Sequence, residues 1–331
     1  MSSTVARAAR RLHARTSFRP SRSRVLAFVG IALVTWFAAT TPALASGFAQ
    51  DGTEVELTIL QAIILGLVEG LTEYLPVSST GHLLVTNELL GLNETEVSTE
   101  AINTYAICIQ VGAIVAVLFL YWERIRQMLD GLLGKSDEGR QILVAVLIAF
   151  TFTAVVGLST EDFVMDNLFG VGPIAGAWIV GGIVILALSR TGWFDQAGVE
   201  LGSLTWKNAI VIGLIQALAV WPGVSRSMVT IIGAVLVGLS LRAAVEFSFL
   251  LGLLTLTAAT AWAGLGGGAE LIDTFGVTTP LIGLVVAFVS AMAAVKWMVA
   301  WLNDKGFEVF GWYRIAVGII AFGLLAAGVI G

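Results

Sequence analysis

Six stretches of the chain, at residues 101–122, 141–158, 172–190, 243–265, 279–302 and 311–330, are apolar for long enough to cross a lipid bilayer. About 20 consecutive apolar residues in a helix span the hydrocarbon, and a helix satisfies its own backbone polar groups there. Each run therefore predicts a transmembrane helix. Two further apolar regions, 57–90 and 205–239, are interrupted near their middle by Pro76 and by Pro222 with Gly223. Proline ends a helix because it lacks an N–H and crowds the preceding turn, so each region predicts two short helices forming a re-entrant hairpin. Broken helices at membrane depth are tolerated only where protein or a wet cavity covers them. The two hairpins point to an internal site.

Polar positions orient these elements. Basic residues gather in alternate connections: Arg124, Arg126, Lys135 and Arg140; then Arg190 and Lys207; then Lys305 and Arg314, with Lys296 just inside the preceding run. The intervening connections carry Glu94 and Glu100, Glu161 to Asp166, and Glu270 to Asp273, without bases. Basic connections stay cytoplasmic, so the first hairpin opens outward and the second inward. Sliding the chain by 147 positions lays LTILQAIILGLVEGLTEYLPVSST over LTWKNAIVIGLIQALAVWPGVSRS without a gap, and nine of 24 positions are identical. Three spanning runs follow each copy, in opposite orientation, which is the pattern of an inverted-topology repeat with its site near the midplane. The predicted fold is an all-α integral membrane protein of six transmembrane helices and two re-entrant helical hairpins, with repeat halves at about 57–190 and 205–331.

Composition agrees: 57% hydrophobic and 12% charged residues with a mean hydropathy of +0.91 exclude an ordinary soluble domain. The single cysteine, Cys108, lies in an apolar run, allows no internal disulfide and reads as packing. The net charge of −5 hides a division, because seven arginines fall within the first 24 residues and no acid precedes Asp51. That basic start, the apolar run from Val25 and the small residues ALAS at 43–46 predict a signal peptide cut after Ala45, or an N-terminal membrane anchor, over residues 1–45. An organelle transit peptide shares the Arg- and Ser-rich character. Residues 46–331 then form a single membrane-embedded domain.

The copies differ where chemistry would be done. Glu69, Glu73 and Ser79 of the first stand at the positions of Gln216, Val220 and Arg226 in the second. Glu69 and Glu73 are four apart and share a helix face. Each carboxylate in an apolar bundle costs about 2–3 kcal/mol, and a cation between the two would remove that cost. Oxygen ligands of this kind suit Mg2+ or Ca2+, and magnesium commonly uses one or two carboxylates plus substrate phosphates. After Pro76, Ser78, Ser79 and Thr80 are placed to start a short helix, and such a start binds anions. The second copy repeats the device as PGVSRSMVT, with Ser225, Ser227 and Thr230 beside Arg226, whose planar fork pairs with phosphate oxygens. Ser79 and His82 are three apart and are both candidate nucleophiles, with Glu73 as base or metal ligand. Each has a plainer reading: serines after proline are helix caps, a lone histidine bonds a neighbour, and Glu246 pairs with Arg242 four residues earlier. Their convergence on two broken helices favours function, since ionisable groups inside a membrane are functional by default.

VEGLTEYLPVSSTGHL, followed about 150 positions later by WPGVSRSMVT and then EFSFLL, resembles the undecaprenyl-diphosphate phosphatase family, the bacitracin-resistance proteins of bacterial envelopes. The resemblance covers roughly residues 57–331. It implies a multi-pass enzyme of the bacterial inner membrane, dependent on Mg2+ or Ca2+, with its active site facing the periplasm. The reaction would remove the terminal phosphate of a C55 polyprenyl diphosphate and so recycle the lipid carrier for peptidoglycan synthesis. The family's acid motif falls on Glu69 and Glu73, its serine and histidine on Ser79 and His82, and its phosphate-binding arginine on Arg226. Two departures stand out: Met228 replaces the glycine that usually follows SRS, and the Arg-rich leader is unusual. The expected partners are the lipid substrate and membrane lipid, with no nucleic acid, and a homodimer is compatible with the sequence. Attack by Ser79, by His82 or by water all remain open, and the main alternative function is a polyprenyl-phosphate flippase or transporter, whose architecture also uses broken helices in inverted repeats.

Overall fold

The computed structural model describes residues 57–92 and 96–331; the leader expected over residues 1–45 lies outside them. The described residues form eleven α-helices and no strand beyond one isolated bridge between Val199 and Leu239. In chain order they are α1 (Ile59–Thr72), α2 (Ser79–Leu89), α3 (Glu96–Leu120), α4 (Trp122–Leu132), α5 (Asp137–Leu168), α6 (Val171–Arg190), α7 (Trp206–Gln216), α8 (Arg226–Leu236), α9 (Leu241–Phe275), α10 (Thr278–Lys305) and α11 (Glu308–Ala326). Six of them, α3, α5, α6, α9, α10 and α11, are long and apolar enough to cross a membrane. They fall on the six predicted runs, and the chain is a multi-pass membrane protein.

Three expectations from the polar pattern are corrected. The connection expected around Glu161 to Asp166 is the last part of α5, whose 32 residues rise about 48 Å at 1.5 Å each, well beyond a hydrocarbon core of about 30 Å. Likewise α9 runs unbroken to Phe275, past the acids expected to mark a loop. Glu246 pairs with Arg124 at 2.5 Å, not with Arg242, because the short amphipathic helix α4 brings Arg124 across to α9. The same guanidinium reaches Glu138 at the start of α5 at 3.1 Å, so one arginine ties three helices together.

The two interrupted regions fold alike. Thr58 caps α1 and accepts from the Gln61 N–H at 3.2 Å; at the matching place Thr205 caps α7 and accepts from the Asn208 N–H at 3.3 Å. α1 packs along α10, and α7 packs along α5. Both contacts are backbone-close, since a side chain at Gly66 would strike the carbonyl of Gly283 and one at Gly213 the carbonyl of Ala149. In both a hydroxyl from the long helix reaches the glycine carbonyl: Ser290 Oγ to Gly66 O at 3.3 Å, and Thr153 Oγ1 to Gly213 O at 2.9 Å. Small residues let helices approach in this way when lipid offers no hydrophobic drive between them. α6 and α11 form the most extensive helix pair and lie against both breaks, as described below.

Placing a methyl at Gly66 or Gly213 forces α1 off α10 or α7 off α5. Gly66→Ala and Gly213→Ala are each expected to lower stability by about 1–3 kcal/mol, read as a lower unfolding midpoint in detergent. Gly323→Ala, where an added carbon meets nothing within 4 Å, is expected to leave the midpoint unchanged or raised.

Candidate active site

The site begins with how two helices stop and restart. Glu73 follows α1 in helical conformation, its N–H still bonded to Glu69 O at 2.9 Å, so the two carboxylates keep the one-turn spacing the sequence predicts. Pro76 then ends the helix. Ser78 turns the chain with φ 71° and ψ 100° and caps α2 through its Oγ, which accepts from the Gly81 N–H. In the second half Ser225 adopts φ 75° and ψ 110° and caps α8 by accepting from the Met228 N–H at 3.3 Å. These two serines, 147 positions apart, are the only non-glycine residues with positive φ among the described residues. Backbone strain of this kind persists where the surroundings impose it and gathers at functional sites. The departure at Met228 leaves the turn intact: the matching residue, Gly81, is glycine because Trp178 occupies the space a side chain would need.

Glu73 holds the two halves together chemically. Ser79 Oγ donates to its Oε2, and Arg226 Nη2 donates to its Oε1 at 2.7 Å. Both side chains of the ion pair are largely buried, at 5% exposure for Glu73 and 14% for Arg226. The guanidinium lies 5.6 Å from the Tyr74 ring centroid, a cation–π arrangement, and a side chain at Gly252 of α9 would collide with it. Glu69 is 1% exposed, and its Oε1 has no hydrogen-bond partner. Around this point the described residues supply two carboxylates and one guanidinium. A paired carboxylate and an unsatisfied one therefore sit one helix turn apart.

His82 is buried but points away from this trio. Its Nδ1 faces the Ser78 carbonyl at 2.7 Å and so carries the proton, which leaves Nε2 to accept from the Tyr313 hydroxyl at 2.9 Å. The ring packs between Trp178 and Tyr313. Thr80, in the first turn of α2, is exposed. Of the expected anion donors in the second half, Ser225 Oγ lies 3.1 Å from Ser227 Oγ, and Ser227 Oγ donates to Leu75 O at 2.8 Å. Thr230 is fully buried, its Oγ1 2.8 Å from Gln216 Oε1 and 2.7 Å from Arg226 O. Gln216 in turn donates to Thr153 at 3.0 Å. The structure thus brings Glu73, Ser79 and Arg226 together and places Ser227 and Thr230 in the scaffold behind them.

The break leaves carbonyls that α1 and α2 cannot satisfy, and other elements meet three of them in a row. Leu75 O takes Ser227, Val77 O takes the Trp178 indole N–H at 2.8 Å, and Pro76 O takes Arg314 Nη1 at 3.2 Å. Arg314 Nη2 also donates to Ala177 O and Gly223 O, both at 2.9 Å. Arg314 was expected in a cytoplasmic connection; it is instead fully buried in α11, because α11 starts at Glu308 and carries position 314 nearly two turns into the helix. Sequence reasoning missed Arg314, Tyr313 and Trp178. An ionisable residue inside an apolar helix was the available signal for Arg314.

Residues 62–320 match the family described as Bacitracin resistance protein BacA. The chain is 40% identical over 266 residues to an undecaprenyl-diphosphatase of Sorangium cellulosum, covering 80% of this chain and 85% of that protein. It is 39% identical over 272 residues to undecaprenyl-diphosphatase 2 of Rhodospirillum rubrum, covering 82% and 97%, respectively. Against undecaprenyl-diphosphatase 1 of Acinetobacter baylyi the identity is 39% over 265 residues, covering 80% and 94%.

Trp178→Phe keeps the ring against His82 but removes the donor to a buried carbonyl. An unmet buried acceptor costs about 1–3 kcal/mol. The variant is expected to unfold earlier in a denaturant titration by that amount, with Trp312→Phe, at an exposed position, as the unaffected control.

Proposed function

The chain belongs to the bacitracin resistance protein BacA family, and on that premise we propose that it is an undecaprenyl-diphosphatase, hydrolysing C55 polyprenyl diphosphate to the monophosphate and inorganic phosphate. In the bacterial inner membrane this recycles the lipid carrier for peptidoglycan synthesis and confers bacitracin resistance. The observation that carries the mechanism is the relay from Ser79 through Glu73 to Arg226, a hydroxyl on one oxygen of a carboxylate and a guanidinium from the other half on the second.

In this mechanism the prenyl tail lies among helices in lipid and the diphosphate enters where the breaks meet, from the outer face toward which the first hairpin opens. Arg226 exchanges its bond to Glu73 for the terminal phosphoryl group, which its planar fork matches. The N–H groups of Ser79 and Thr80, at the start of α2, add to the anion site. Glu73 takes the proton as Ser79 Oγ attacks the terminal phosphorus, the bond from that phosphorus to the bridging oxygen breaks, and polyprenyl monophosphate leaves. Glu73 passes that proton to the departing monophosphate oxygen; water then attacks the phosphoserine and gives a proton to Glu73, which delivers it to Ser79 Oγ as the bond from phosphorus to Oγ breaks and phosphate leaves. Phosphoryl transfer depends mainly on this kind of positioning and charge stabilisation. Ser79 is favoured over His82 as nucleophile because both His82 ring nitrogens are engaged elsewhere.

A divalent cation fits this reading in one respect. Glu69 Oε1 is buried without a partner, and departure of Arg226 frees Glu73 Oε1 one turn away. No group of three metal-ligating side chains occurs among the described residues, so the two carboxylates would need phosphate oxygens to complete the coordination, as magnesium sites often do. When bound, Mg2+ or Ca2+ would neutralise diphosphate charge.

The test is phosphate release from C55 polyprenyl diphosphate by protein purified in detergent, with Mg2+, with Ca2+ and with chelator. Wild type is expected to turn over, and chelator to suppress turnover. Glu73→Gln and Arg226→Ala are each expected to lower kcat at least 100-fold, roughly the loss of one strong transition-state contact. Near-wild-type hydrolysis by either variant would sink the mechanism. Detergent abolishes compartments, so a folded wild type that releases no phosphate would favour the flippase reading, followed by a lipid flux assay in vesicles.

A further inference from the structure

Arg314 carries an unusual assignment for a buried cation. It is fully buried, it forms no ion pair among the described residues, and its hydrogen bonds go to three backbone carbonyls: Pro76 O, Gly223 O and Ala177 O. The first belongs to the break before Ser79, the second to the break before Arg226, and the third to α6. Gly181 of α6 lies directly against the guanidinium, where any side chain would collide with it. A buried guanidinium without a counter-charge is costly unless its donors are met, and carbonyls left by broken helices are costly unless something donates to them. The two Nη groups and the three carbonyls answer each other's deficit, and only Nε of the guanidinium stays unmet.

We propose that Arg314 is a positioning residue that fixes the distance between the two halves of the active site. One planar fork bonded to both breaks sets the separation of Pro76 from Gly223, and the catalytic groups follow each break by three residues, Ser79 after Pro76 and Arg226 after Gly223. The neighbouring Tyr313 acts on the same break through His82, which bonds the strained Ser78 carbonyl. α11 thereby grips the first break twice and the second once. Lysine, with one point charge on a flexible stem, cannot reproduce a fork that spans two loops. This assignment rests on the proposed phosphatase reading for its kinetic consequence, while its geometric consequence is independent of it.

The experiment uses the full-length protein in detergent, with two readouts. The first is phosphate release, resolved into kcat and KM. The second is the indole N–H resonance of Trp178 in protein labelled with 15N-tryptophan, assigned by its loss in Trp178→Phe; this N–H bonds Val77 O, next to the carbonyl that Arg314 holds. Arg314→Gln is expected to lower kcat roughly tenfold to a hundredfold, the scale of a small misplacement of reacting groups, with KM little changed. The Trp178 resonance should move as well, and Arg314→Lys should recover part of both effects. A folded Arg314→Gln protein with wild-type kcat, or with an unmoved Trp178 resonance, overturns the proposal. Should Arg314→Gln fail to fold, Gly181→Ala decides, because it keeps the arginine and displaces its guanidinium: shifts in both readouts support the clamp, and wild-type values in both overturn it. If the wild type itself releases no phosphate, the functional reading fails alone and the Trp178 resonance still decides the clamp.

Discussion

A helix broken inside an apolar layer leaves carbonyls and N–H groups that lipid cannot satisfy, and meeting that demand organises the centre of this protein. Carbonyls 75, 76, 77 and 78 are claimed by Ser227, Arg314, Trp178 and His82, from α8, α11, α6 and α2. Four helices are thus pinned to one six-residue interruption, residues 73–78. On the far side of the break, Ser78 meets the Gly81 and His82 N–H groups, which leaves those of Ser79 and Thr80 at the start of α2. The obligation that makes the break costly is also what makes it rigid, and a rigid break can present Glu73 and Ser79 in a fixed relation.

The two halves solve the same backbone problem with different side chains. Caps, glycine contacts and strained serines recur at the 147-residue offset, whereas charge does not: the first half carries Glu69 and Glu73, the second Gln216 and Arg226. Gln216 shows what the position of Glu69 becomes when no chemistry is asked of it. Its amide is satisfied by Thr153 and Thr230 inside the protein, while Glu69 keeps an oxygen unmet. At this matched position the acidic half is unsatisfied and the other is settled, and the ion pair from Glu73 to Arg226 joins the halves.

Much of this was legible in the sequence, for identifiable reasons. Hydrophobic run length located all six long helices, because lipid thickness is a strict ruler. Proline and the internal repeat marked both breaks, and residue chemistry singled out Glu73, Ser79 and Arg226. Positions that depend on where a helix begins were less legible. Arg314 was assigned to a connection because a basic residue near the edge of an apolar run usually marks a cytoplasmic end; its burial depends on α11 starting earlier, at Glu308, and on carbonyls of distant segments. Glu161 and Asp166 were assigned to a loop because acids commonly end a span, but α5 continues past the hydrocarbon. Partnerships between distant segments, such as Arg124 with Glu246 or His82 with Tyr313, have no local signature. His82 is a case in point: proximity to Ser79 in sequence suggested chemistry, and its contacts to Ser78 O and Tyr313 could not be read there.

The bond between Glu73 and Arg226 has one more consequence. Arg226, the group best suited to hold a phosphate, is already occupied by a carboxylate of the same chain, so the resting site is closed by its own plug. A tethered anion competes at an effective concentration set by geometry, far above that of most dissolved anions. A diphosphate anchored by its lipid tail is likewise held at the membrane and can contest the arginine, whereas a free phosphate ion, once detached, has no tether and must displace Glu73 from solution. In the proposed reaction the substrate therefore arrives with an advantage that its inorganic product lacks.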